Sequence, residues 1–213
     1  MDSGRTMPSV YDLKPKFQNL LRPLVIGLAR LGATANQVTV AAMLLSLAAG
    51  ALIFYFRTST RILLLLPMVL FLRMALNAID GMLAREHAQK TALGAILNEL
   101  GDVVSDSALY LPLAVVAGFN AYLMVLIVLF AVFTEMTGLV AAQTGASRRY
   151  DGPMGKSDRA LVFGTLGLLL GSGLPIAARM IYLLLLFVLL LLLKTIVNRA
   201  GNGLRELRSR TSP

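Results

Sequence analysis

Asn77-Ala-Ile-Asp80-Gly81-Met-Leu-Ala84-Arg85, then eight residues, then Gly94-Ala-Ile-Leu-Asn98-Glu99-Leu-Gly101-Asp102-Val-Val-Ser105-Asp106 is the stretch on which the fold turns. It straddles the end of one long apolar run, Ile62–Met82, and the start of another, Gly94–Gly118. Ionisable side chains are costly inside a hydrocarbon layer, so carboxylates embedded in such runs mark either a functional site or a polar clamp between helices. Arg73, Asn77 and Asp80 fall at i, i+4 and i+7, and Asn98, Asp102 and Asp106 at i, i+4 and i+8, with Glu99 three before Asp102. Both sets are single-face stripes at helical spacing. The loop joining the two runs is short, so their helices are expected to be antiparallel neighbours whose stripes converge on one polar pocket. Asn77 and Asn98 each lie eight residues from the loop charges Arg85 and Lys90. At about 1.5 Å per residue both descend about 12 Å.

Outward from this stretch the chain stays apolar. Of 213 residues, 57% are hydrophobic and 15% charged, with 20 Lys and Arg against 11 Asp and Glu. A soluble domain carries about 25% charged residues, and disorder requires low hydrophobicity. Both classes are excluded. The chain has no cysteine, so no disulfide framework, thiolate zinc site or cysteine nucleophile is available. Apolar runs near Val38–Phe56, Ile62–Met82, Gly94–Gly118, Tyr122–Ala141, Ala160–Gly173 and Leu174–Leu193 predict six transmembrane helices. The fifth is short and glycine-lined, and it is expected to pack against the sixth or against another subunit. With the N-terminus in the cytoplasm, sixteen of the 20 Lys and Arg fall on the inner side. The positive-inside rule therefore sets both termini in the cytoplasm and explains the basic excess without nucleic acid.

Residues 1–10 are polar, unlike a signal peptide. Leu13–Leu31, basic, amphipathic and interrupted by Pro23, predicts a helix lying along the membrane surface among its lipids. The expected organisation is a leader and interfacial helix over 1–34, a six-helix domain over 35–200 and a basic cytoplasmic tail over 201–213.

The polar cluster is made of oxygen donors without His or Cys, which suits a hard cation such as Mg²⁺, Mn²⁺ or Ca²⁺. Gly81, Ala84, Gly94 and Gly101 lack bulk, which serves either close helix packing or a flat ligand near the backbone. Arg148, Lys156 and Arg159 form a basic loop that either meets an anionic acceptor or only serves topology. Glu135 and Arg73, both within spans, are expected to join in an intramembrane ion pair.

The run resembles the signature of the CDP-alcohol phosphatidyltransferase family: Asp-x-x-Asp-Gly-x-x-Ala-Arg, eight residues, Gly, three residues, Asp, three residues, Asp. Asp80, Gly81, Ala84, Arg85, Gly94 and Asp102 match it, while Asn77 and Asn98 stand where the first and third Asp belong. Ala35-Asn36-Gln-Val-Thr39 is similar to the family's Pro-Asn-x-x-Thr opening of the first span.

The resemblance implies six spans and a role for each motif residue: Asp102 as base; Asn77, Asp80, Asn98 and Asp102 as metal positions for Mg²⁺ or Mn²⁺; and Asn36, Thr39, Gly81, Ala84, Arg85 and Gly94 as positions at the CDP moiety. Glu99 and Asp106 are auxiliary acids. The implied reaction takes a CDP-linked lipid donor, such as CDP-diacylglycerol, and a small alcohol acceptor, releases CMP, and belongs to phospholipid biosynthesis. The implied setting is a homodimer in a bacterial inner membrane, with its site facing the cytoplasm. Two other readings stay open on the residues alone: a catalytically weakened relative that binds CDP-lipids or a partner, motivated by the two asparagines, and an ion-coupled transporter, against which stands the lack of an internal repeat.

Overall fold

The computed structural model describes residues 10–211, with side chains from Phe17 to Arg210. The polar leader and the side chains of Lys14 and Lys16 lie outside the described residues. Everything described is helix, turn or loop, with no strand among the described residues. The helices are α1 (Val10–Arg30), α2 (Ala35–Tyr55), α3 (Leu65–Glu86), α4 (Ala92–Tyr110), α5 (Ala121–Gln143), α6 (Lys156–Gly171) and α7 (Ala178–Thr211). Short 3₁₀ turns, Thr60–Leu64 and Leu111–Val115, precede α3 and follow α4.

Each predicted span corresponds to one helix, but among the described residues four segments are long and apolar enough to cross a membrane: Ala35–Tyr55, Thr60–Glu86, Ala121–Gln143 and Ala178–Arg210. The 16 residues of α6 extend about 24 Å, short of the about 30 Å hydrocarbon core. The 19 residues of α4 include Glu99, Asp102 and Asp106, which lower its hydropathy. The segment expected to be a tail from 201 continues α7 as helix to Thr211.

Local chemistry sets the helix starts near the motif. At α2, Thr34 and Gln37 form a reciprocal capping box, Thr34 N–H to Gln37 Oε1 (2.9 Å) and Gln37 N–H to Thr34 Oγ1 (3.2 Å). At α4, Thr91 Oγ1 accepts the Gly94 N–H at 2.9 Å. Asn120 Oδ1 does the same for Leu123 at the start of α5 (3.0 Å).

The chain divides into two compact units. The amino-terminal unit joins the chain up to Leu44 with Phe71–Gly101, and the carboxy-terminal unit joins Leu45–Leu70 with the chain from Asp102. The first has a small core of Val25, Ala35, Val38, Ile79, Met82 and Leu83. Here α1 is fixed to α3 by an edge-to-face contact of Phe17 on Phe71 and by an Arg22–Glu86 ion pair (3.2 Å). The face of α1 bearing Leu20 and Leu24 is exposed, as an interfacial helix requires.

The second unit has the larger core, in which Tyr110 stacks on Phe163 and Leu113, Met124, Ile127, Leu185 and Val188 are buried. The glycines of α6 correct an expectation. Within the chain they pack not against α7 but against the turn and first residues of α3. A Cβ on Gly167 would lie 2.8 Å from the Leu63 carbonyl oxygen, and one on Gly171 2.8 Å from the Leu64 nitrogen. Small residues let backbones approach this closely.

Candidate active site

In the amino-terminal unit the motif residues gather at the starts of α2 and α4 and the end of α3. The buried carboxylate of Asp80 accepts a hydrogen bond from Thr39 Oγ1 at 2.7 Å. Thr39 Oγ1 also lies 3.1 Å from the carbonyl of Ala35, one turn back. A hydroxyl held by its own helix thus orients the acid. A Cβ on Gly94 would come 2.7 Å from Asn36 Oδ1, so glycine is what lets the Asn36 amide reach the first turn of α4. The Arg85 guanidinium folds back over Gly81, 3.2 Å from where a Cβ would stand. Asn77 is half-buried one turn before Asp80, and Asn98 is exposed one turn before Gly101 and Asp102.

The loop between α3 and α4 is tied to the start of α2 by Gln89, whose Oε1 accepts from the Ala35 N–H (2.7 Å) and whose Nε2 donates to the Ala33 carbonyl (3.3 Å). Ala88, just before it, adopts φ +55°, a left-handed conformation that costs a non-glycine residue. The Gln89 hook holds that strained loop beside Asn36 and Thr39.

In the carboxy-terminal unit Asp102 faces Lys156, whose Nζ donates to Asp102 Oδ1. One turn on, Asp106 accepts from Arg159 through Nε (3.1 Å) and Nη2 (2.9 Å). Glu135 on α5 meets Arg159 (3.2 Å), Arg199 (3.2 Å) and Arg148 (3.3 Å). Its cations therefore come from the 144–155 segment and from α6 and α7, where the sequence led us to expect Arg73. Arg199 also donates to the Thr134 carbonyl at 2.5 Å. The positive-inside bias counts Arg199 among the inner-side charges, yet its side chain is 2% exposed. The signal that could have found it is Thr195, one turn earlier on the same apolar run: Thr195 Oγ1 accepts the Met154 N–H at 3.0 Å.

Of the three proposed acceptor cations, Arg148 and Arg159 thus engage Glu135 and Asp106, and Lys156 engages Asp102. Asp106, taken as an auxiliary acid, is committed to Arg159. Gly152 has φ +126° and lies against Thr195, 2.6 Å from Cβ to Cγ2 were it alanine, so the loop can turn and seat only with glycine there.

The residues available to a divalent ion are carboxylates and side-chain amides. Among the described residues no three His, Cys, Asp or Glu gather as a ready metal group. The donor chemistry fits a hard cation, and a lysine ammonium already rests on one of these oxygens.

The family model for CDP-alcohol phosphatidyltransferase matches residues 32–202. The chain is 52% identical over 160 residues to the inner membrane protein YnbA of Escherichia coli strain K12, covering 75% of this chain and 79% of that one. Its fold is similar to crystal structures of the Mycobacterium tuberculosis phosphatidylinositol phosphate synthase PgsA1. With CDP-DAG bound, the TM-score is 0.72 at 21% identity, covering 85% of this chain and 92% of that one. With manganese and citrate, the TM-score is again 0.72 at 21% identity, covering 85% and 87%.

Proposed function

The chain belongs to the CDP-alcohol phosphatidyltransferase family, and from that premise we propose that it transfers a phosphatidyl group from CDP-diacylglycerol to a small alcohol, releasing CMP, in phospholipid biosynthesis at a bacterial inner membrane. The observation that carries the reading is the state of the two motif aspartates. Each is oriented by a specific partner, Asp80 by the Thr39 hydroxyl and Asp102 by the Lys156 ammonium. A lipid donor is supported by the PgsA1 structure that holds CDP-DAG, and a divalent ion, Mg²⁺ or Mn²⁺, by the one that holds manganese.

In this reading Asp102 takes the proton from the acceptor hydroxyl as its oxygen forms the new bond to the lipid-bearing phosphorus. The bond from that phosphorus to the CMP oxygen breaks. Asn77, Asp80, Asn98 and Asp102 are the oxygen donors that would hold the metal. When bound, the ion offsets the charge of the pyrophosphate and of the departing CMP. Thr39 fixes the orientation of Asp80. Gly81, Ala84 and Gly94 leave room for the nucleotide, and Asn36 and Arg85 offer it an amide and a guanidinium. Of Arg148, Lys156 and Arg159, the cations proposed to meet an anionic acceptor, each engages a carboxylate of the chain, and Lys156 is the most exposed at 33%. The six apolar runs cross the membrane with both termini and the site on the cytoplasmic side, as the bias of sixteen cations supports, and the protein works as a homodimer.

The test is CMP release from CDP-diacylglycerol by the purified protein across a panel of alcohols, with Mg²⁺ or Mn²⁺. Asp102→Asn is expected to lower the rate at least about 10²-fold, the usual weight of a positioned acid–base group. A divalent chelator is expected to abolish turnover. An Asp102→Asn protein as fast as wild type overturns the assignment of the base. No CMP release with any metal or acceptor favours a CDP-lipid-binding protein, the reading that the two asparagines support.

A further inference from the structure

We propose that Lys156 is a resident counter-ion for Asp102, one that must withdraw before a divalent ion can take that carboxylate. The proposal rests on the reading of Asp102 as a metal ligand. Three features of the second unit carry it.

The first is the contact itself. Lys156 Nζ donates to Asp102 Oδ1 across 54 residues of sequence. It therefore uses a lone pair that a hard cation would need.

The second is the position of the lysine. Lys156 is the first residue of α6, where the partial positive charge of a helix N-terminus disfavours a cation. Asp158 already serves that terminus by accepting the Gly155 N–H at 2.8 Å. The capping of the helix does not call for a lysine at 156, which instead reaches the carboxylate opposite.

The third is a contrast with the neighbouring pair. Arg159 and Asp106 are sealed, with side chains 2% and 7% exposed, whereas Lys156 and Asp102 are 33% and 26% exposed. Arg159 grips its partner through two nitrogens of a rigid fork. Lys156 holds by one ammonium on a flexible stem. Of the two cations that α6 sends to α4, the lysine is the one able to let go.

The consequence concerns charge. The Asp102 carboxylate carries one negative charge, and the Lys156 ammonium offsets it until it moves. A free divalent ion therefore competes with a built-in cation. A pyrophosphate-bearing ligand changes the balance, because it adds negative charge and gives the displaced ammonium a new partner. Ion and nucleotide then bind cooperatively.

The experiment is Mn²⁺ titration of the purified, nucleotide-free protein, followed by the electron paramagnetic resonance of free Mn²⁺. Lys156→Gln is expected to bind Mn²⁺ about tenfold more tightly than wild type, within the about 5–150-fold usual for coupling between two ligands. Lys156→Arg, which keeps the charge and adds a rigid fork, is expected to bind Mn²⁺ no more tightly than wild type and somewhat more weakly. Asp102→Asn is expected to weaken binding and to erase the gain in the double variant. If Lys156→Gln binds no tighter than wild type while Asp102→Asn still weakens binding, Lys156 is not a competitor and the proposal falls alone. If Asp102→Asn leaves Mn²⁺ affinity unchanged, the metal reading of Asp102 fails and takes the proposal with it. A second measurement needs no variant: acylation of Lys156 in the wild type, read by mass spectrometry, is expected to rise when Mn²⁺ is added. Unchanged labelling overturns the proposal.

Discussion

Two charge networks hold the 144–155 segment in the second unit, built from the same residue types at different depths. The inner one joins Arg148, Arg159 and Arg199 to Asp106 and Glu135, with side chains between 2% and 16% exposed. The outer one joins Arg149, Asp151 and Ser147 to Glu206 and Asn202 on α7, with Arg210 on the rim at 58% exposed. The outer pairs are short, 2.6 Å for Arg210–Glu206 and 2.8 Å for Arg149–Asp151, yet short distance is not what decides their worth. Water screens an exposed pair in either partner's absence, whereas a buried charge that loses its partner has nothing to replace it. Depth, not geometry, is what separates the two networks.

The largest effect is therefore expected at Arg159. Replacing it with Met keeps the volume and removes the charge from between Asp106 and Glu135. The expected loss is about 3–5 kcal/mol, the range for breaking a buried pair from one side. Thermal unfolding of the protein in detergent reads it. Adding Asp106→Asn to Arg159→Met is expected to recover part of the loss, since one stranded carboxylate then disappears. If Arg159→Met unfolds at the wild-type temperature, the inner network is not the stronger of the two.

A smaller effect is expected where the inner network leans on α5. Gly138 is buried beneath the Arg148 guanidinium, and a Cβ there would lie 2.5 Å from the Arg149 carbonyl oxygen. The obstacle includes backbone, so it cannot swing aside as a side-chain tip would. Gly138→Ala is expected to cost about 1–3 kcal/mol, as overpacking does. It should also weaken the Arg148–Glu135 contact of 3.3 Å. An alanine variant of full stability would mean that the segment can shift outward without loss, and that the inner pairs do not fix its seat.

Much of this architecture was legible in the sequence, for reasons that differ by element. The helices were legible because apolar runs of about 20 residues carry a strong periodic signal, and the motif because its residues sit close together along the chain. Asn36 lies beside Gly94, but the direct role of Thr39 on Asp80 was not visible, since a threonine on the preceding helix, 41 residues away, carries no pairing signal. The inner network was read only in fragments. Glu135 and Arg159 were each noticed, but Arg199 looked like an ordinary inner-side cation, because a charge near the end of an apolar helix is equally compatible with water or with a buried acid. The packing of the α6 glycines was open for the same reason. Small residues announce a close approach and do not say to what.

The smallest effect is expected in the outer network, and pH separates it from the inner one. Partial burial pushes the Asp151 carboxyl up, but hydrogen bonds from the Asn202 amide (2.6 Å) and the Arg149 guanidinium (2.8 Å) outweigh this and hold it below the ordinary carboxylate value. A group whose folded value is depressed stabilises the fold fully above its unfolded value, about 3.9 for Asp, and loses that stabilisation as pH falls through the folded value. The advantage of wild type over Asp151→Asn is thus expected to be constant from neutral pH down to about 5 and then to shrink on further acidification. Its size should be about 1 kcal/mol or less, because the pair is partly solvated and salt-screened. Paired unfolding curves of the two proteins over this range, at low and high salt, make the measurement. A gap that widens on acidification would reverse the sign of the linkage. A gap as large as that of Arg159→Met would show that the outer network is also shielded from water, and depth would no longer explain the contrast between the two.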